Sequence, residues 1–381
     1  MRFIFKTDYE DDIRLLPHSG YVWTYGTLLV LLAIAPFVLS SYIMSQLVFV
    51  CIYATVGVGL MILSGFTGQA SLGHAAFLAI GAYTAAYLQQ YDVPFLVYFL
   101  AAGLLTGVIG ALVGFPALRL QGIYLVIATI SFAFIVEEIL ARWESVTHGN
   151  EGMRVKTLSL FGVAVPRDSA GFYFLCLGFL ILIIIGTLNL LRSPTGRAWI
   201  AIRDSEIAAQ SMGVNLAIYK SIAFAYSAAL MGLAGALFAH KIAYLAPDIF
   251  TILLSIQFLL LVIVGGLGSL HGAVFGAIFV ALLPPVIAIL RDSIPASMAD
   301  AARSTGIGAI GILGEAVGNF LKKPGVEAGI FGLILVLVIL LEPLGIYGRW
   351  IKIRVFFSTF PMYKRATFKR QRTYMRSERL R

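Results

Sequence analysis

Long apolar runs recur along this chain and constrain its fold more than any other feature. Runs of roughly 17 to 25 residues extend from Tyr25 to Leu341, and each has about the length that an α-helix needs to cross a bilayer. The chain is 60% hydrophobic and only 12% charged. A soluble domain could not bury this much apolar surface. The sequence therefore predicts an all-α polytopic membrane protein. The predicted helices, about ten in number, fall on residues 25–41, 42–63, 65–83, 93–118, 123–141, 171–191, 221–240, 250–264, 265–290 and 326–341.

The net charge of +9 is concentrated at the C-terminus. Residues 349–381 contain eleven of the 28 Lys and Arg residues but only one of the 19 Asp and Glu residues. A basic flank after a last span is mainly a topological signal, so it indicates a cytoplasmic tail at 346–381 that contacts the lipid bilayer, and no nucleic-acid partner. The N-terminal lead, 1–24, mixes acids and bases, lacks the pattern of a cleavable signal and is also predicted to be cytoplasmic.

The connections between the apolar runs are assigned to sides by counting spans. With ten spans and both termini inside, the loop at 192–220 is cytoplasmic, whereas the polar connections at 142–170 and 291–325 are external. Residues 291–325 alternate small apolar positions with charged ones, which favours an extramembrane or interfacial insert in the transmembrane domain at 25–345.

Residue patterns that would indicate chemistry are missing from the sequence. Cys51 and Cys176 both lie inside apolar runs, which favours neither a disulfide framework nor a metal site. His74, His240 and His271 are isolated from one another, and no paired Asp or Ser/His cluster of an intramembrane enzyme is present. A phosphate-binding loop is also missing, so the chain cannot hydrolyse ATP alone. We therefore predict that it is not an enzyme and binds no metal or cofactor directly.

The polar loop at 192–220 interrupts the apolar pattern and requires a function of its own. Small and apolar residues recur in it near helical spacing, and Gly213 follows them where a helix C-cap is expected. We predict one short amphipathic helix that projects from the membrane and fits a groove on a partner protein. A plain solvated connector is the alternative, although about thirty patterned residues is long for one. The recurring positions are Ala198, Ile202, Ile207, Ala208 and Met212.

Two glycine-rich motifs interrupt apolar runs in the two halves of the chain. Residues 68–77 (GQASLGHAAF) and 268–275 (GSLHGAVF) are similar, and each is predicted to open a helix. Corresponding glycine-interrupted segments in two halves indicate a transport pathway. Close helix packing through small residues is the alternative reading of the same motifs.

Three stretches of the sequence together resemble one known family. Residues 196–239 are similar to the coupling-loop region of branched-chain amino acid ABC transporter permeases of the LivM type. Residues 59–86 and 262–277 look like the N-terminal and C-terminal signatures of that family. The resemblance covers most of 47–290 and resumes at 329–345; the 291–325 insert and the long basic tail depart from shorter family members.

The resemblance implies a type II-like ABC importer transmembrane subunit in the bacterial inner membrane. It implies three kinds of protein partner: a homologous second permease, two cytoplasmic ATPase subunits that bring ATP and Mg, and an extracytoplasmic solute-binding protein. Residues 196–215 would then dock on an ATPase subunit. The residues assigned to this coupling contact are Gly196, Arg197, Arg203, Asp204, Ala208, Ala209 and Gly213; those assigned to a translocation pathway are Gly65, Gln69, Ser71, Gly73, Gly265 and Gly268.

The resemblance favours leucine, isoleucine or valine as the substrate and leaves related substrates open. Relatives in the same fold family handle urea, short amides or aromatic acids. A self-sufficient channel or ion-coupled carrier is the alternative from another class. The sequence disfavours the carrier, because Glu137 and Glu138 lie near the end of a span rather than at its centre.

Overall fold

The computed structural model describes residues 19–117, 120, 122–160, 162–305, 318–319, 321, 323, 325–342 and 344–359. This part of the chain is almost entirely helical, as the sequence predicts. The helices are α1 (Ser19–Val38), α2 (Ser41–Leu60), α3 (His74–Gln90), α4 (Phe95–Ala117), α5 (Ile123–Arg142), α6 (Glu144–Thr147), α7 (Ala170–Arg192), α8 (Pro194–Asp204), α9 (Glu206–Ser211), α10 (Leu216–Ile242), α11 (Ile252–Gly265), α12 (Leu270–Thr305), α13 (Val326–Leu341) and α14 (Gly345–Thr359).

Seven helical spans in the described part of the chain are long and apolar enough to cross a membrane. An eighth is obtained if α13 and α14, which meet at a bend of 45°, are taken as one broken span. These criteria do not confirm the predicted number of about ten. The difference arises because α1 and α3 are shorter: the apolar part of α1 covers Val22–Val38, and α3 has 17 residues.

The bundle is built around α2 and α10. In the spans Ser41–Phe66 and Leu216–Ile242, 78% and 72% of the most apolar window is buried, compared with 22% in Ala170–Arg192 and 28% in Ile123–Arg142. Helix α10 packs against α2, α3 and α4, and α12 packs against α2 and α11. The outer helices α5 and α7 therefore present apolar side chains outward, as a surface that faces lipid requires.

Glycine allows α3 and α10 to pack against each other at backbone contact. A Cβ atom on Gly81 would overlap the backbone of Gly232, and one on Gly235 would overlap the carbonyl oxygen of Leu78. Close approach through small residues is how membrane helices gain packing energy where no hydrophobic effect separates protein from lipid. These glycines fix α3 against the central helix.

Both glycine-rich motifs open a helix, as predicted. Helix α2 continues through one wider turn, Met61–Phe66, and then leaves helical conformation until α3 begins at His74. Gly68 has a φ of +74°, and Gly268, two residues before α12, has a φ of +83°. Only glycine adopts this left-handed conformation without strain, so the two glycines set the path of the chain into each helix.

The polar stretch after α5 forms two small antiparallel pairs of strands. Strand β1 (Met153–Arg154) pairs with β4 (Tyr244–Leu245), which directly follows α10. Strand β2 (Leu158–Leu160) pairs with β3 (Val163–Val165). We call residues 143–169 the polar segment. The sequence predicted only an external connection here, because two- and three-residue strands are too short to give a periodic pattern.

The 192–220 loop and the polar segment lie at opposite ends of the bundle. Helix α7 joins them and has 23 residues, about 33 Å at the α-helical rise. We call the end of the bundle at the 192–220 loop the loop end, and the end at the polar segment the segment end. Tyr25 of α1 and His271 of α12 meet at the loop end, where Tyr25 Oη and His271 Nε2 are 2.6 Å apart.

Two predicted boundaries differ in the structure. The helix predicted to end near residue 290 continues to Thr305, so the first part of the predicted 291–325 insert is helical; a helix can continue beyond the apolar run because Ala-rich polar sequence is also a good helix former. The predicted basic tail begins with α14. Residues 1–18 of the lead, Arg119, most of 306–324 and 360–381 of the tail lie outside the described residues.

Candidate functional site

The loop between α7 and α10 contains two short helices, so the prediction of a single amphipathic helix is wrong. Helix α8 ends at Asp204, and Ser205 has extended φ and ψ angles of −164° and 115°. The Ser205 hydroxyl accepts a hydrogen bond from the amide of Ala208, 3.3 Å away, and caps α9. Serine followed by glutamate is a strong N-terminal helix signal, and this local preference divides the apolar pattern into two.

Helix α8 is anchored to the bundle by its apolar face. Trp199 is fully buried, and its Nε1 donates a hydrogen bond to the carbonyl oxygen of Tyr219 in α10, 2.8 Å away. Ala198 and Ile202 are buried on the same face. Gly196 lies where a Cβ atom would overlap the backbone of Leu191, so this site requires glycine for the tight turn out of α7. These contacts attach α8 to the end of α7 and to α10.

Arg203, at the end of α8, connects the loop to both glycine-rich motifs. Its Nη1 donates a hydrogen bond to the carbonyl oxygen of Gly65, 3.1 Å away. A Cβ atom on Gly68 would lie 3.2 Å from Arg203 Cγ, and one on Gly268 would lie 2.9 Å from Arg203 Nη1. Asp204 orients the guanidinium, because its Oδ1 accepts hydrogen bonds from Arg203 Nε and Nη2 at 3.3 and 3.2 Å.

Helix α9 is attached to the bundle by a mainly buried ion pair. Lys220 of α10 is only 2% exposed, and its Nζ lies 2.6 Å from Glu206 Oε1. Ala209 is buried on the same side of α9. Gly213 has a φ of +85° and ends the helix, and the Val214 amide donates to the carbonyl oxygen of Ala209, 3.0 Å away. The predicted glycine C-cap is confirmed.

The outer face of α9 and Met212, the residue that follows α9, present large apolar side chains to the surroundings. Ile207 is 81% exposed and Met212 is 85% exposed, and Ala208 is exposed beside them. The sequence pattern had placed these residues on one face with Ala198 and Ile202, which the structure buries. Exposed side chains of this size that project from a rigid element are typical of a protein–protein contact. Arg197 is also exposed and donates to the carbonyl oxygen of Arg192, 3.2 Å away.

The first glycine-rich motif places buried polar groups at the start of α3. The Thr129 hydroxyl accepts a hydrogen bond from the Leu72 amide at 3.1 Å, and the Ser255 hydroxyl accepts one from the Ala75 amide at 2.9 Å. Ser71 is fully buried, and its hydroxyl accepts from the Gly73 amide at 3.4 Å. These hydroxyls satisfy amides that have no partner within the helix.

Two polar atoms of this region have no hydrogen-bond partner in the structure. They are Gln69 Oε1 and His74 Nδ1, each on a side chain that is at least nine-tenths buried. His74 Nε2 and Ser227 Oγ of α10 share a hydrogen bond of 3.0 Å. Buried polar groups within a membrane bundle are costly and commonly functional, which keeps Gln69 and Ser71 as candidates for the translocation pathway.

The glycines assigned to the pathway also have packing roles. A Cβ atom on Gly65 would lie 2.9 Å from the amide nitrogen of Gly268, and one on Gly73 would lie 2.7 Å from the carbonyl oxygen of Thr129. One on Gly265 would overlap the carbonyl oxygen of Gly272. These distances support the packing interpretation for Gly73 and Gly265. For Gly65 and Gly268, packing coincides with the contact to Arg203.

Several residues of the site were not predicted from the sequence. Trp199, Glu206 and Lys220 anchor the loop, and Thr129 and Ser227 bond to the start of α3. A tryptophan in a polar loop and a lysine four residues into an apolar helix were available as signals. In the described part of the chain, no group of three or more His, Cys, Asp or Glu residues could hold a metal ion.

Comparisons with known proteins agree with the resemblance. The sequence model of the family described as "Branched-chain amino acid transport system / permease component" matches residues 42–301. The chain is 36% identical over 275 residues to the high-affinity branched-chain amino acid transport system permease protein LivM of Escherichia coli (strain K12), and 35% identical to the protein of that name in Salmonella typhimurium (strain LT2). Each alignment covers 66% of this chain and 65% of the relative. No solved structure matches the chain.

Proposed function

The chain belongs to the family of permease components of branched-chain amino acid transport systems, and from this premise we propose that it is the membrane-spanning subunit of an ATP-driven importer of leucine, isoleucine or valine. Its relatives are named as high-affinity permeases of that kind, although the chain spans only 65% of their length. The importer would lie in a bacterial inner membrane. A second permease, two ATPase subunits with their ATP and Mg, and a solute-binding protein would complete it.

The observation that carries the coupling role is the construction of the loop. Trp199, Arg203 and Lys220 fix α8 and α9 to the bundle, while Ile207 and Met212 remain exposed. An element that is fixed to the bundle on its inner side and binds a partner through apolar side chains on its outer side can transmit a displacement of that partner to the bundle. We assign the ATPase contact to the outer side of this loop. The other loop residues that we assign to this contact shape the two helices or lie beside the exposed side chains: Gly196, Arg197, Asp204, Ala208, Ala209 and Gly213.

Movement of the loop would reach the interior through Arg203. The guanidinium contacts Gly65 and lies against Gly268, and the aliphatic part of the same side chain lies against Gly68. A displacement of α8 would therefore shift the start of both glycine-opened helices. The buried Gln69 and Ser71 lie in the first of these segments. We propose that this region lines the path of the substrate when the bundle changes between outward-open and inward-open arrangements.

The substrate class is proposed from the named relatives. Branched-chain amino acids have an apolar side chain and a charged backbone, whereas urea and short amides are neutral and aromatic acids are larger. In importers of this kind the solute-binding protein selects among such solutes. The identity of the binding protein that stimulates the complex therefore decides between these alternatives.

Uptake into vesicles tests the proposal directly. Proteoliposomes that contain both permeases and the ATPase subunits, supplied with leucine-loaded binding protein and internal ATP, should accumulate labelled leucine. Vesicles without this chain, or without ATP, should not. Excess unlabelled isoleucine or valine should compete, and urea or phenylalanine should not. Accumulation of leucine by this chain alone would favour a self-sufficient carrier, and no uptake by the complete complex would refute the proposal.

A further inference from the structure

Helix α10 has a buried lysine near each of its ends. Lys220 is 2% exposed and Lys241 is 6% exposed, although charged side chains inside a membrane bundle are rare and costly. They are 21 positions apart in one continuous helix, about 32 Å at the α-helical rise. One lies at the loop end of the bundle and the other at the segment end.

Each lysine forms an ion pair with an acid in the extramembrane element at its own end. Lys220 Nζ lies 2.6 Å from Glu206 Oε1 of α9. Lys241 Nζ lies 2.9 Å from Asp168 Oδ1 of the polar segment and donates to the carbonyl oxygen of Arg167 at 3.5 Å. The Lys241 ammonium also lies 5.7 Å from the centre of the Phe49 ring in α2. A buried ammonium that lost its acid would be left without its counter-charge, so each pair should persist as its acid moves.

The helix between the two lysines is held on several sides. It packs against α2, α3 and α4, and Gly232 and Gly235 bring it to backbone contact with its neighbours. Strand β4 continues directly from α10 and pairs with β1 of the polar segment, so Leu245 lies opposite Met153. A close-packed helix moves as a body and does not bend gradually, so a shift at one end reaches the other.

We propose that α10 transmits movement between the two faces of the membrane, and that Lys220 and Lys241 are positioning residues that hold the loop and the polar segment to its ends. The proposal rests on the proposed function, since it requires an ATPase partner at the loop end and a binding protein at the segment end. Binding at either end then biases the same helix, so each partner affects the other.

Paired neutral substitutions test the two connections in the assembled complex. K220M/E206Q and K241M/D168N remove both charges of a pair and leave no buried charge without a partner. The control is D92N/K156M, because Asp92 Oδ1 and Lys156 Nζ also lie 2.9 Å apart at the segment end but are exposed and do not involve α10. Three quantities are measured: basal ATP hydrolysis, its stimulation by leucine-loaded binding protein, and leucine taken up per ATP hydrolysed.

We expect K241M/D168N to keep basal hydrolysis and to reduce the stimulation by binding protein about tenfold, and K220M/E206Q to reduce uptake per ATP about tenfold. The control, and the conservative variants K220R and K241R, should resemble the wild type. A purely structural role would instead lower the amount of assembled complex while its hydrolysis and uptake fell together. If K241M/D168N does not assemble, K241Q/D168N, which replaces the ion pair of Lys241 and Asp168 by two neutral polar side chains, tests the same connection.

Wild-type stimulation and wild-type uptake per ATP in both neutral variants would overturn the inference. An equal loss in the D92N/K156M control would overturn it as well, because the effect would then not depend on α10. A wild-type complex that does not take up leucine with ATP would refute the proposed function. The two failures are therefore distinguishable in one set of vesicles.

Discussion

Arg203 Nη1 donates a hydrogen bond to the carbonyl oxygen of Gly65, 3.1 Å away, across 138 positions of sequence. The bond joins the end of α8 to the wider turn that ends α2, and Gly268 lies beside it. The loop and the two glycine-rich motifs therefore meet at one arginine. This contact joins the loop directly to the interior of the bundle.

Reversing the charge of Arg203 should uncouple ATP hydrolysis from transport. In Arg203→Glu, a carboxylate would face the Gly65 carbonyl oxygen and Asp204, so the bond would be replaced by repulsion. Because a hydrogen bond from a charged group contributes about 1.5–3 kcal/mol, we expect uptake per ATP to fall at least about tenfold. Hydrolysis and membrane insertion should remain. Unchanged transport in Arg203→Glu would contradict the docking role.

Adding a methyl group at Gly268 should disturb the same contact. The φ of +83° costs an alanine about 1–2 kcal/mol, and its Cβ would lie 2.9 Å from Arg203 Nη1. Gly325→Ala is the control, because Gly325 has a similar φ of +86° and no atom within 4 Å of the added Cβ. We expect comparable losses of thermal stability, but lower uptake per ATP only in Gly268→Ala. Equal transport in the two variants would show that the crowding of Arg203 is unimportant.

Polar replacement of the exposed apolar residues in α9 and at its C-cap should weaken partner binding without affecting the fold. Ile207 and Met212 are more than 80% exposed, so Ile207→Ser and Met212→Ser should change stability by no more than about 0.5 kcal/mol. If they bury their side chains in an ATPase subunit, each change should weaken that association by about 1 kcal/mol, or roughly fivefold. Co-purification of the ATPase subunits measures it. Val163→Ser, at an exposed valine of the segment end, should have no effect.

Trp199 should be a major anchor of the loop. It is fully buried and bonds to the Tyr219 carbonyl oxygen, so Trp199→Ala should lower stability by about 3–5 kcal/mol. Trp199→Phe keeps most of the ring and loses mainly the hydrogen bond, at about 1 kcal/mol. Thermal inactivation in detergent ranks the variants. Trp143→Ala, at a tryptophan that is 53% exposed, should be close to wild type; a Trp199→Ala variant as stable as this control would refute the anchoring role.

The sequence by itself determined the class of the protein and the order of its parts. The apolar runs required a membrane bundle because their length matches the bilayer, and this depends only on local composition. The glycine that ends α9 and the two helix-opening glycine motifs were also predicted correctly. Each of these features depends on neighbouring residues, so the order of residues along the chain contains the needed information.

Tertiary structure alone decided which residues meet. In a membrane bundle, lipid-facing and protein-facing side chains are both apolar, so hydrophobic periodicity cannot show which helix becomes central. The same pattern could not reveal that Ile202 is buried while Ile207 is exposed, because Ser205 breaks the helix between them. The contact of Arg203 with Gly65 depends on how distant helices pack. The ion pairs of Lys220 and Lys241 depend on the same packing, because each joins α10 to an element outside the membrane.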